Sequence, residues 1–320
     1  MPTFDQLATF APSLALKTFY DQAKGNPVYQ SYLEQLGCHP EHITSTDRIP
    51  FMPIEFFKCH RVVTGSQKEI RIFESSGTTG VQTSKHYISD EEIYIKSLGA
   101  GFRLFFGEPS DYCFLALLPS YLERQNSSLI FMIDQLIRQS GHPLSGFYLN
   151  NSKELAQHLG LLEKSGQKTM LIGVTFALLD LAEQFPIPLK NTIVVETGGM
   201  KGRREELTRN ELHDILKTAF HLKSVGSEYG MTELLSQAWS TGDGIYYPPP
   251  WMKIMIRDPY DPFRHLPDKK SGGIDVMDLA NRNSCSFIQT QDLGRKYPDG
   301  SFEVLGRFDN SELRGCNLMI

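Results

Sequence analysis

Between Tyr112 and Gly226, apolar runs of strand length alternate with longer amphipathic segments of helical period. The runs are Tyr112 to Leu118, Gly146 to Leu149, Thr169 to Val174, Thr192 to Val195 and Leu222 to Val225. The clearest helix carries Leu212, Ile215, Leu216, Ala219 and Phe220, spaced so that all fall on one apolar face. Strands separated by helices pair in parallel, because parallel neighbours need a long crossover and a right-handed helix supplies it. The pattern predicts an α/β domain with a mostly parallel sheet and flanking helices.

After about Ser240 the texture changes. Pro248-Pro249-Pro250, Asp258-Pro259, Asp261-Pro262 and Pro298-Asp299-Gly300 punctuate short strand-like runs at Trp251 to Ile256, Ile274 to Met277, Ser286 to Gln289 and Phe302 to Leu305. The expected division is an α/β core over 1–240 and a β-rich lobe over 241–320. The first hundred residues are mixed, with helices expected before Gly25 and from Ser89 onward, where Ser89 and Glu92 have capping-box spacing.

Composition narrows the function classes. A chain of 320 residues with 40% hydrophobic and 22% charged residues can bury a large core, and a net charge of -5 offers no basic surface for nucleic acid. The 5 cysteines include no Cys-x-x-Cys pair, which suits a reducing compartment, and no metal-ligand spacing occurs. Met1 to Leu16 lacks a basic stretch followed by an apolar run, and no membrane-length apolar segment follows. A cytoplasmic protein without a membrane span is expected.

Several polar segments then stand out against the predicted strands. Ser75-Ser76-Gly77-Thr78-Thr79-Gly80 lies between strand-like Ile70 to Phe73 and His86 to Ile88, where glycines and free N–H groups suit phosphate oxygens, although such a run taken alone is more often a plain solvated turn. Lys85 is a cation within reach of such a loop, or a plain strand-end lysine. Gly198 and Gly199 follow a parallel strand, and Tyr229 to Glu233 follows another, at the sheet edge where open α/β folds bind ligands. Glu233 suits Mg²⁺ as an oxygen ligand, or caps the next helix. Asp292, placed after the strand Ser286 to Gln289, can accept from both hydroxyls of a ribose or simply form a turn.

Taken in order, these segments resemble the adenylate-forming superfamily of acyl-CoA synthetases, luciferases and peptide-synthetase adenylation domains. Ser75 to Gly80 with Lys85 resembles its phosphate loop, Gly198-Gly199 its adenine-flanking turn, Tyr229-Gly230-Met231-Thr232-Glu233 its aromatic-Gly-x-Thr-Glu motif, and Asp292 its ribose aspartate. Gly306-Arg307-Phe308-Asp309 resembles its hinge. Within the superfamily the resemblance narrows to the acyl-protein synthetase of the bacterial bioluminescence fatty acid reductase, through Phe51-Met52-Pro53-Ile54-Glu55-Phe56-Phe57-Lys58, Thr197 to Arg203 and Ser227 to Glu233.

The resemblance implies the large N-terminal domain of that superfamily without the mobile C-terminal domain. It implies ATP and Mg²⁺ as cofactors and activation of a carboxylic or fatty acid as acyl-AMP. Acyl transfer to Cys316 as a thioester follows, and an acyl reductase is the expected partner. Thr78 and Thr79 would hold phosphates, Thr232 the α-phosphate, Glu233 the metal, Tyr229 with Gly198, Gly199 and Gly230 the nucleotide around the adenine, Asp292 the ribose, and Arg307 the ribose or a phosphate. The superfamily's C-terminal lysine has no counterpart here, so Lys85 or Lys201 substitutes or adenylation is slow. Two other functions fit the same residues: an acyl- or aryl-CoA ligase that uses coenzyme A, and a nucleotide-binding scaffold without catalysis.

Overall fold

In the computed structural model, the residues described are 11–75, 82–118, 126–148, 151–198 and 207–308. Helices α1 (Pro12–Gly25) and α2 (Pro27–Gln35) come first, each entered through a proline whose fixed φ suits the first turn. A short strand β1 (Met52–Pro53), helix α3 (Phe56–Cys59) and the paired strands β2 (Arg71–Glu74) and β3 (Lys85–Ile88) follow. Helix α4 (Glu91–Phe106) starts one residue after Asp90. Ser89 Oγ is buried without a hydrogen-bond partner, so the capping box expected at Ser89 and Glu92 does not form.

The alternating region folds as its period requires. It runs β4 (Cys113–Leu117), α5 (Ser128–Ser140), β5 (Gly146–Phe147), α6 (Ser152–Ser165), β6 (Thr169–Gly173), α7 (Thr175–Gln184), β7 (Thr192–Glu196), α8 (Arg209–Phe220) and β8 (Gly226–Tyr229). Strand β9 (Ala238–Ser240) and β10 (Ile245–Tyr246) close this half of the chain. The sheet order is β5-β4-β6-β7-β8-β9, parallel throughout except for antiparallel β9. Every residue of β4 and β6 is buried, as expected of central strands covered by helices on both faces. Helix α8 carries a true capping box between Thr208 and Glu211. Its buried face is Leu212, His213, Leu216 and Phe220, while Ile215, expected inside, is 40% exposed.

The antiparallel sheet is built from β11 (Met252–Arg257), β12 (Ser271–Asp278), β13 (Phe287–Lys296) and β14 (Phe302–Arg307), with β1 lying parallel against the start of β13. The chain divides into two units. One holds residues 11–72, 82–90 and 248–308 of the described chain, the other 73–75 and 91–247. The sequence-based division places the first ninety residues with the parallel sheet, whereas most of them group with the antiparallel one.

Buried amides explain that grouping. Gln22 Nε2 donates to the carbonyls of Asn281 and Arg282, and Gln22 Oε1 accepts from Ser286 N–H. Asn26 caps α2 through Oδ1 and donates from Nδ2 to the Ser284 carbonyl. Both amides are 0% exposed, so each would be costly if left unpaired. Phe287 at the start of β13 completes the anchor, packing on the rings of Phe19, Tyr29 and Phe51. No periodicity in the first fifty residues encodes contacts of this range.

Among the described residues no helix is long and apolar enough to cross a membrane. A close backbone approach in the antiparallel sheet lies at Gly294, where a Cβ would stand 2.5 Å from Ile274 Cδ1 and 2.6 Å from the Glu303 carbonyl oxygen. Gly294→Ala is therefore expected to destabilise by about 1–3 kcal/mol in urea unfolding. Gly160→Ala, in α6 with nothing within 4 Å, serves as the contrast, and its expected effect is a gain of roughly 0.5–1 kcal/mol from helix propensity.

Candidate functional site

The parallel sheet sets two polar turns side by side. Strands β7 and β8 are neighbours in register, Val195 level with Gly226 and Glu196 with Ser227. Their carboxyl ends therefore point the same way, and each feeds a turn at the edge where open α/β sheets bind ligands. After β7 come Thr197 and Gly198, the latter at φ 70°, a conformation that favours glycine. After β8 comes Gly230 to Glu233, where Leu234 N–H donates to the Met231 carbonyl at 3.1 Å. Tyr229 ends the strand and is 7% exposed, Thr232 is half-buried, and Glu233 is 5% exposed. The next element is β9 rather than a helix, so Glu233 caps no helix.

The strand before this turn differs from the sequence expectation. Leu222 to Val225 is a connection, and the strand is Gly226–Tyr229. Ser227 and Glu228 hide it from a hydrophobic pattern, because their cover comes from neighbouring strands on both sides.

In the other unit, Asp292 and Arg307 meet across two strands. They are register partners on β13 and β14, with Arg307 Nε 3.6 Å from Asp292 Oδ1. Asp292 does not follow the strand, as the run Ser286 to Gln289 suggests, but lies within it, since β13 continues to Lys296. Pairing with β12 and β14 carries a polar sequence through the extended conformation. The Asp292 side chain is 17% exposed and its backbone N–H donates to Thr290 Oγ1. A bulge beside Leu293 and Gly294 adds local twist next to this pair.

Of the remaining expected site residues, Ser75 follows β2 and Lys85 begins β3 with its side chain exposed. Ser76, Gly77, Thr78, Thr79, Gly80, Gly199, Lys201 and Cys316 lie outside the described residues. Cys113 and Cys285 are core residues whose burial pushes their thiols up to about 11 and about 12. Trp239 is a core side chain packed on Phe102 and Phe106. Leu118 leaves β4 where the strand order reverses, and Pro119 to Leu122 lie outside the described residues.

Behind the two turns sits a group of charges that the sequence reading passed over. Glu196 is 5% exposed and accepts the Gly198 N–H at 2.7 Å, while Arg209 Nε lies 3.8 Å from its other oxygen. Glu228 is enclosed enough that lost hydration, with Glu196 adding repulsion, pushes its carboxyl up to about 8. Its Oε1 occupies the place a Cβ would take on Gly230, so a larger residue in that turn would displace the Glu228 carboxyl. The available signal was a carboxylate at the end of each apolar or paired strand, Val195-Glu196 and Ser227-Glu228. Nothing in the sequence pointed to Arg209 or Tyr246 beside them.

The raised Glu228 carboxyl has a definite effect on stability. Unfolding restores an ordinary carboxyl that ionises near pH 4.5, whereas in the fold it stays protonated up to about 8. The native state thus binds the extra proton between these values, and stability falls as pH rises through that window. Glu228→Gln mimics the neutral acid, so its advantage over wild type is expected to grow from pH 5 to pH 8.5 in thermal unfolding. Equal pH slopes for the two proteins would sink this account.

No family model and no curated protein matches this sequence. Solved structures do. A 2-hydroxyisobutyryl-CoA ligase in complex with 2-HIB-AMP and CoA superposes with TM-score 0.71 at 14% identity, covering 93% of this chain and 74% of that one. The same ligase in its thioesterification state gives 0.71 at 15% identity, covering 97% and 70%. ATP-bound MatB from Rhodopseudomonas palustris gives 0.56 at 17% identity, over 76% of this chain and 49% of that one. At such identities the similarity concerns the fold, and the chain has the mixed α/β fold of the N-terminal domain of adenylate-forming enzymes.

Proposed function

We propose that this protein activates a carboxylic acid with ATP, joining it to AMP and releasing pyrophosphate. The observation that supports this reading best is the pair of adjacent turns after β7 and β8, carrying Gly198 and Tyr229 to Glu233, in a fold shared with ligases solved with ATP or an acyl-AMP. In this reading Tyr229 and Gly198 flank the adenine and Thr232 contacts the α-phosphate, while the sequence resemblance assigns Asp292 to the ribose and Arg307 to the ribose or a phosphate. Ser75 to Gly80 and Lys85 meet the phosphates. The acid's carboxylate attacks the α-phosphorus and pyrophosphate leaves, so the residues contribute position and charge stabilisation rather than covalent chemistry.

Glu233 suits a magnesium ion. Among the described residues no cluster of three or more His, Cys, Asp or Glu can hold a metal, and Mg²⁺ commonly takes only one or two carboxylates beside substrate phosphates and water. Held there, it would offset negative charge on the departing pyrophosphate.

For the second half-reaction we favour acyl-protein synthesis. The Cys316 thiolate attacks the acyl carbon, AMP leaves, and the thioester passes to an acyl reductase, with a fatty acid as substrate. Its support is the sequence resemblance at residues 51–58, 197–203 and 227–233. A second reading, transfer to coenzyme A, is favoured by the solved ligases, which carry CoA in their complexes.

Incubation with ATP, Mg²⁺ and a panel of fatty and short carboxylic acids separates these readings. Acid-dependent pyrophosphate release is expected, together with a mass increase at the peptide containing Cys316 that Cys316→Ser abolishes. CoA consumption that persists in Cys316→Ser would select the CoA ligase. Absence of pyrophosphate release with every acid would leave a nucleotide-binding scaffold.

A further inference from the structure

The two turns at the parallel-sheet edge are joined by an unbroken line of side chains. Gly198 N–H donates to Glu196 Oε2 at 2.7 Å. Glu196 Oε1 faces Arg209 Nε at 3.8 Å, and the Arg209 guanidinium lies 5.4 Å from the centre of the Tyr246 ring. Tyr246 in turn packs against Tyr229, with ring centres 5.9 Å apart and planes inclined at 61°. Tyr246 is 2% and Tyr229 7% exposed, so both rings are fixed by their surroundings. Gly244, at φ +67°, leaves room for the Arg209 stem, since a Cβ there would lie 3.2 Å from Arg209 Cδ.

Each link has a physical reason. A carboxylate accepting a backbone N–H orients that peptide, and a charged acceptor makes the bond stronger than a neutral one. The Arg209 guanidinium is favoured on one side by the Glu196 carboxylate and on the other by an aromatic face. The arrangement leaves neither the turn nor the strand end free to adjust alone.

We propose that Glu196 is a positioning residue that sets the Gly198 turn and couples it, through Arg209 and Tyr246, to Tyr229, so that both walls of the nucleotide site are shaped before ATP arrives. This rests on the reading that Gly198 and Tyr229 flank the adenine. Glu196 touches no reacting atom in this scheme. Its effect falls on nucleotide affinity rather than on the rate of the chemical step or on affinity for the acid.

Calorimetric titration with ATP and Mg²⁺, and parallel KM measurements for ATP and acid, test the proposal. Glu196→Ala is expected to raise the ATP Kd about tenfold or more, the scale of one hydrogen bond to a charged group. Glu196→Gln keeps an acceptor for Gly198 and should stay within about threefold of wild type. Arg209→Ala, at a side chain 30% exposed, should fold and weaken ATP binding by an intermediate factor, with KM for the acid unchanged. An unchanged Kd in folded Glu196→Ala overturns the proposal, as does Glu196→Gln matching Glu196→Ala. If Glu196→Ala does not fold, an unchanged Kd in Arg209→Ala overturns it. Failure of the wild-type protein to bind ATP removes both this inference and the activating function, whereas ATP binding with unmoved variants removes this inference alone.

Discussion

The geometry of the candidate site depends first on the register in which β8 lies beside β7. With Val195 level with Gly226 and Glu196 level with Ser227, the turns that follow the two strands leave the sheet at neighbouring positions. Gly226 permits that register: a Cβ there would sit 3.0 Å from the Ser240 carbonyl oxygen and 3.3 Å from Val195 Cγ2. Antiparallel β9 approaches β8 from the other side and leaves no slack. A slip of one residue would turn Glu196 and Ser227 to opposite faces and pull Tyr229 away from Tyr246.

Both units use buried polar groups to specify where segments distant in sequence belong. Gln22 and Asn26 bind loop carbonyls some 260 positions away, and their amide nitrogens also reach the buried hydroxyls of Ser286 and Thr64. In the same unit Asp275, 0% exposed, accepts from Arg257 at 2.8 Å and meets His265 Nε2 at 3.1 Å, while the Arg257 guanidinium lies 5.2 Å from the Phe308 ring centre. Removing one partner of such a buried pair costs more than the pair is worth, because the other charge remains buried. The pair thus ties the residue after β14 to the middle of the sheet. In the parallel-sheet unit Glu196 meets Arg209 in a looser, partly exposed pair, whereas burial, with Glu196 adding repulsion, pushes the Glu228 carboxyl up to about 8.

Fold and chemistry separate clearly in this protein. The similarity to solved CoA ligases extends over 93% and 97% of the chain in two comparisons, yet identity is only 14–15%, so a common backbone is filled with largely different side chains. Core positions tolerate such replacement as long as volume and pattern are kept. Chemistry belongs to the site instead, here a few residue types held at adjacent strand ends.

By itself the sequence determined the α/β alternation, because burial on both faces of β4, β6 and β7 demands near-continuous apolar runs with helices between them. It also marked two turns as candidates for chemistry, since Gly198 and Gly230-Met231-Thr232-Glu233 are polar departures that follow strands. Tertiary structure alone decided that the N-terminal helices join the antiparallel sheet, that β8 begins at Gly226, and that Asp292 lies within a strand opposite Arg307. It also decided that Glu196, Arg209 and Tyr246 meet behind the turns. The physical reason is the same in each case. Periodicity reports how one segment partitions between core and water, whereas register, buried hydrogen bonds and charge pairs depend on partners brought close only when the chain has folded.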